Sequence, residues 1–209
     1  MVAKRHLVPW IGCLLVPLMI LVAVLAVCER SVHAAEIKID RPKDREFVRD
    51  LAGMIDAEHK KHLVELCDKL LTEKATPILV VTIDSMKKHG GEAMRIETFA
   101  NLLFNQWEIG HAKLGKHDWD TGILLLVSKG DRKARIELGK GWGREKDKLC
   151  TQIMSQQIIA RFKQKKFSEG IVAGVEALDK MARGLELPPP PPSKTLKKIA
   201  REKELPPPR

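Results

Sequence analysis

The chain has 209 residues, of which 44% are hydrophobic and 31% charged, with a formal net charge of +10; that is room for one ordinary globular domain plus appendages. The charge is uneven: Lys4, Arg5 and Arg30 face only Glu29 at the N-terminus, the tail from Leu185 carries six Lys or Arg against three Glu, and the stretch between is mixed in sign. Without a concentrated basic face, and with no tyrosine, the composition argues against nucleic acid as a partner, because that partner selects clustered cations and aromatic stacking platforms.

Lys4 and Arg5 precede an apolar run from Leu7 to Val27, and "SVHAAE" follows it. This is the tripartite pattern of a signal peptide over residues 1–34, with Val32 and Ala34 at the small-residue cleavage positions. Cleavage would start the mature chain at Ala35 and place it outside the cytoplasmic membrane, in the periplasm or its equivalent. The same run is long enough to stay as an N-terminal membrane anchor, since ~20 apolar residues span a bilayer; Pro9 and Pro17 weaken that helix. Lipidation at Cys28 ranks third, because bulky Val27 stands where a small residue is needed. Of the remaining cysteines, Cys67 and Cys150 fall on apolar helical stripes and read as reduced and buried, with no CxxC to suggest a zinc or redox centre.

Asp56 is a plausible N-cap for a helix whose apolar face is Leu63, Leu66, Cys67, Leu70 and Leu71. "TPILVVTID", Thr76 to Asp84, is an uninterrupted β-branched run that suits a central, buried strand. Helical spacing returns at Ile96, Phe99, Ala100, Leu103 and Trp107 and stops at Gly110. "TGILLLVSK" is a second buried strand, and a crossover helix between the two makes Ile78–Ile83 and Ile123–Val127 parallel neighbours. Gly130-Asp131 then marks a turn, and Ala134, Ile136 and Leu138 alternate with charged residues, which predicts an antiparallel hairpin. "GKGWG", Gly139 to Gly143, leads into a third helix through Cys150, Ile153, Ile158 and Phe162. A fourth, capped by Ser168, uses Ile171, Val175, Leu178 and Met181. The domain should end near Gly184, and the Pro-rich basic tail 185–209 has no face to bury.

Taken together, "VRDLAGMID", "WEIG", "TGILLLVSKGDRKARIELGKGWG" and "FSEGIVAGVEAL" resemble the TPM domain, a family of exported bacterial and thylakoid-lumen phosphatase-like proteins. The resemblance covers residues 47–184. It implies a three-layer α/β/α sandwich around a small mixed β-sheet, in agreement with the elements above. For some members it also implies divalent-cation binding, chiefly calcium, and acid-phosphatase activity, and for others a role in membrane-protein assembly or repair. Carried over residue by residue, Asp50 matches the family's early aspartate, Asp120 the acid before the "TGILLL" strand, and Asp147 the aspartate at the helix entry. The commoner Gly-x-Gly-Leu-Glu loop is replaced here by "GKGWGRE", with Trp142 for leucine and Gly143 for glutamate, a tryptophan-bearing variant that lacks one acidic ligand.

Topology places Asp120 and the loop Gly139–Asp147 at one edge of the sheet. Carboxylates gathered there repel one another unless a cation intervenes, and hard oxygen ligands suit Ca2+ or Mg2+. The expected cation site is therefore Asp120 and Asp147, with Asp50 reaching across the sheet and Glu145 as an outer ligand or a surface ion pair. Each acid alone can equally be a turn or cap residue. His111, His117 and Asp118 lack the spacing of a zinc site, and Trp107 and Trp142 read as packing residues. Ser85 and Ser128 have no placed base, so the sequence favours an envelope interaction or assembly module that engages an envelope or membrane protein partner. The alternative is a metal-assisted acid phosphatase acting on phosphomonoesters.

Overall fold

The computed structural model describes residues 36–114 and 117–191. The apolar run Leu7–Val27, the cleavage motif and the tail from residue 192 onward lie outside the described residues. Among the described residues, no helix is long and apolar enough to cross a membrane.

A four-stranded sheet is ordered β1 (Val48–Asp50), β2 (Ile78–Ile83), β5 (Ile123–Ser128), β6 (Lys133–Leu138). β1, β2 and β5 are parallel, with Asp50 opposite Thr82 and Ile78 opposite Ile123, and β6 returns antiparallel with Leu138 opposite Ile123. The expected parallel pair and the hairpin are both present. A separate hairpin, β3 (His111–Leu114) with β4 (His117–Asp120), occupies the stretch read from sequence as a loop.

Side chains of β2 and β5 alternate between two apolar layers, as the pleat requires. Ile78, Val80, Ile123, Leu125 and Val127 pack with Leu63, Cys67 and Leu70 of α1 (Ala57–Lys74) and with Cys150, Ile153, Ile171, Val175 and Leu178. These last residues belong to α3 (Lys146–Ile153) and to the C-terminal helix α5 (Phe167–Ala182). Val81, Ile83, Leu124 and Leu126 face the other way, onto Phe99, Leu103 and Trp107 from α2 (Ile96–Gln106) and its C-terminal cap. Burial of both faces explains why these strands read as continuous apolar runs. The architecture is the three-layer α/β/α sandwich with a mixed sheet.

Three local details depart from the sequence reading. The third helix widens into a π segment, Met154–Ile159, before a last α turn, α4 (Ala160–Phe162). Ser168 lies inside the first turn of α5 and does not cap it; its hydroxyl accepts from Asp56 N at 3.3 Å and meets His59 Nδ1 at 3.0 Å, joining the starts of α1 and α5. The ordered domain also extends beyond 47–184 at both ends. Ile37 and Ile39 are buried against α2, with Ile37 exchanging two hydrogen bonds with the Gln106 amide. At the other end Leu187 packs on the core, and buried Gln157 donates to the carbonyls of Pro188 and Pro189 at 2.7 and 3.2 Å.

Candidate functional site

Asp120 ends β4 and sits where β6 delivers the chain into the glycine loop. Its Oδ2 accepts from Lys140 N at 3.0 Å, while Oδ1 is buried with no hydrogen-bond partner among the described residues. The contact is close because Gly139 has no side chain: a Cβ there would lie 2.2 Å from Oδ1 and 2.4 Å from the Asp120 carbonyl oxygen. Gly141 is similar, with a Cβ position 2.7 Å from the same carbonyl oxygen. Trp142 then closes the loop, its indole Nε1 donating to Thr121 O at 2.9 Å. Trp107 does comparable work elsewhere, donating from a buried position to Ile39 O at 3.3 Å. Both tryptophans therefore hold backbone segments in place, as expected.

Asp147 lies in the first turn of α3 at the same edge of the sheet and lines a groove along β6 with Leu138 and Cys150. Glu145 folds back over Gly143, whose Cβ position would be 2.4 Å from its carboxylate; the glycine adopts φ +68° there. The edge that brings Asp120 and the loop together is thus formed as the sequence implied.

Asp50 is placed elsewhere. It ends β1 opposite Thr82, which pairs with Val127, so it stands at the far end of the sheet from Asp120, on the order of 20 Å along the strands. A single ion with ligand distances near ~2.4 Å cannot be shared across that span. The Asp50 carboxylate is instead occupied by the chain that follows: Oδ1 accepts from Met54 N at 3.0 Å and from the Thr82 hydroxyl, and Oδ2 accepts from Ile55 N at 3.0 Å. Among the described residues, no three His, Cys, Asp or Glu side chains gather into a cation cage. What remains for a hard cation is narrower: one oxygen of Asp120 that makes no hydrogen bond among the described residues.

Ser128 and the two cysteines are poorly placed as nucleophiles. Ser128 is buried and donates to Asp131 at 2.6 Å; that bond, with a second from Met86 N, holds the Asp131 carboxyl below its usual range. Burial pushes the Cys67 thiol up to about 12 and the Cys150 thiol up to about 11, so neither is a thiolate at neutral pH.

The TPM domain family matches residues 48–181. A comparison with curated proteins finds no match. Among solved structures, the chain is similar to the N-terminal domain of a protein from P. gingivalis, at 26% identity and a TM-score of 0.55, covering 66% of this chain and 82% of that one. It is also similar to the N-terminal domain of the cg2496 protein from Corynebacterium glutamicum (12% identity, TM-score 0.51, 70% and 86% covered). The BA42 protein of the psychrophilic bacterium Bizionia argentinensis shares the fold as well (20% identity, TM-score 0.50, 66% and 88% covered). The family match spans most of the three-layer domain and includes both Asp120 and the glycine loop: the chain belongs to the TPM domain family.

Proposed function

We propose that this TPM domain is an extracytoplasmic interaction module that engages an envelope or membrane protein, and that its Asp120 corner takes a divalent cation, Ca2+ or Mg2+. The observation that supports the cation is the buried Oδ1 of Asp120, unpartnered among the described residues, because an anionic oxygen withdrawn from water without a donor is costly and a hard cation offsets that cost. Asp147 is the second carboxylate within the same edge, and the loop between them is the element whose conformation the ion would bias. The export pattern of residues 1–34 supports the location. A cation bound there would rigidify the loop that carries Trp142, and so change the surface offered to a partner.

Calorimetric titration with CaCl2 and MgCl2 tests the cation. Asp120→Asn should weaken binding at least roughly tenfold, about 1.4 kcal/mol, while Asp118→Asn leaves it unchanged. Absence of a binding heat in the wild type would remove the cation from this reading. Cation-stimulated hydrolysis of a phosphomonoester, lost in Asp120→Asn, would replace the interaction module with the phosphatase alternative.

A further inference from the structure

At the opposite end of the sheet from Asp120, a cleft of about 520 Å³ opens between the β5–β6 turn and the α4–α5 connection. Its size falls within the range of small-molecule sites, ~300–1,000 Å³. Met54, Val127, Ala134, Ile159, Phe162 and Phe167 supply apolar walls, and among the described residues the charged side chains lining it are Lys129, Arg132, Lys133 and Lys163. None of these four cations makes an ion pair among the described residues. Lys129 is steadied by donating to Ala52 O at 3.2 Å. Two carboxylates lie close enough to feel this rim: Asp131, which already accepts from Ser128 and Met86 N and is influenced by Lys133, and Asp84, which is bonded to Lys88 and influenced by Lys129.

The apolar side is built into the fold. Phe162 and Phe167 meet edge to face with centroids 5.4 Å apart. The Phe162 ring can lie there because Gly170 has no side chain; a Cβ at that position would come within 2.8 Å of the ring. Ile159 closes the π segment, a helix distortion that often marks functional sites. Phe167 remains 37% exposed beside these walls, an uncommon placement for a ring that could be buried.

An apolar slot with a rim of cations that form no ion pairs among the described residues recognises a molecule that is apolar at one end and anionic at the other. We propose that this cleft binds a single alkyl chain bearing an anionic headgroup, with the chain against Phe162, Phe167 and Ile159 and the head among Arg132, Lys133 and Lys163. The inference does not depend on the cation at Asp120, since the two features occupy opposite edges.

Calorimetric titration of the protein with n-decyl phosphate below its micelle concentration provides the test. Inorganic phosphate serves as the head alone, decyl maltoside as the chain with a neutral head, and anionic phospholipid vesicles as a bilayer surface. Decyl phosphate should bind at least tenfold more tightly than phosphate or decyl maltoside. The exposed pair Lys133→Glu and Lys163→Glu should reduce that affinity at least tenfold, as should Ala134→Phe, which fills the slot from the edge strand. Melting curves on the variants separate loss of the site from loss of the fold, and Arg144→Glu at the other edge should bind like the wild type. Equal affinity for phosphate or for decyl maltoside, undiminished binding by the folded variants, or binding to vesicles without binding to decyl phosphate would overturn the proposal.

Discussion

The indole nitrogen of Trp142 donates to the carbonyl oxygen of Thr121 at 2.9 Å, tying the middle of the glycine loop to the residue that follows Asp120. The bond depends on the indole nitrogen, a donor that an aliphatic side chain at this position would not supply. It substitutes a fixed tether for purely apolar packing, and it holds Lys140 N where it can donate to Asp120. Trp142→Phe keeps most of the apolar contact and removes the donor. The expected cost is about 1 kcal/mol, read as a lower urea midpoint with unchanged slope. An unchanged midpoint would mean that the tether is dispensable and that packing alone places the loop.

Asp50 contrasts with Asp120 in that both oxygens of its carboxylate are taken by donors of the chain itself. Asp50→Asn replaces one of two acceptor oxygens by an amide donor, which then faces either Ile55 N–H or the Met54 N–H and Thr82 hydroxyl pair. Leaving a part-buried donor without an acceptor should cost about 1–3 kcal/mol. The response to Ca2+ should stay as in the wild type, because Asp50 lies at the other end of the sheet. Stability retained together with a lost calcium response would reverse this assignment and return Asp50 to the cation.

Much of this contrast was beyond sequence reasoning. β2, β5 and the helices were legible because both faces of the sheet are buried and the apolar residues recur at the period of each element. β1 is three residues, "VRD", too short to show alternation, and without its pairing to Thr82 nothing indicates at which edge Asp50 emerges. The β3–β4 hairpin, "HAKL" with "HDWD", consists of two four-residue strands in which charged and polar residues predominate, too short for alternation to stand out from a loop. The π segment "MSQQII" carries no periodic signature of its own. The proximity of Asp120 to the glycine loop was accessible, since it follows from strand direction and hairpin return alone.

The start of α1 should make stability depend on acid. Asp56 caps the helix through His59 N at 2.9 Å and meets His59 Nδ1 at 2.5 Å. The backbone bond first, and the ring contact second, hold its carboxyl down to about 2 from an ordinary 3.8. A depressed folded value stabilises above the unfolded pKa, and the stabilisation is lost as pH falls through the folded one. The urea-midpoint difference between wild type and Asp56→Ala should therefore be constant down to about pH 4 and shrink as pH falls toward about 2. A difference that persists undiminished at the acid end would show that the charged cap is not its source.

The last prediction concerns where the domain ends. A proline-rich segment without an apolar face should be removable at no cost, and on sequence alone the boundary falls at Gly184. The structure moves it: Leu187 packs against the core, and the carbonyls of Pro188 and Pro189 accept from the amide of Gln157, a side chain only 2% exposed. Proline suits this task, since it offers a carbonyl acceptor and brings no backbone donor that would itself need a partner. Truncation after Gly184 strips Gln157 Nε2 of both acceptors and uncovers the surface under Leu187. It should destabilise by about 1–3 kcal/mol, the penalty of a buried polar group left without a partner. Truncation after Pro191 retains every one of these contacts and should leave the melting temperature close to that of the full chain. The Gln157→Leu variant separates the two contributions: with no amide to satisfy, truncation after Gly184 should then cost only the lost packing. If the full chain and the chain ending at Gly184 melt together, the Gln157 amide is served by water and the segment after Gly184 is not part of the folded unit.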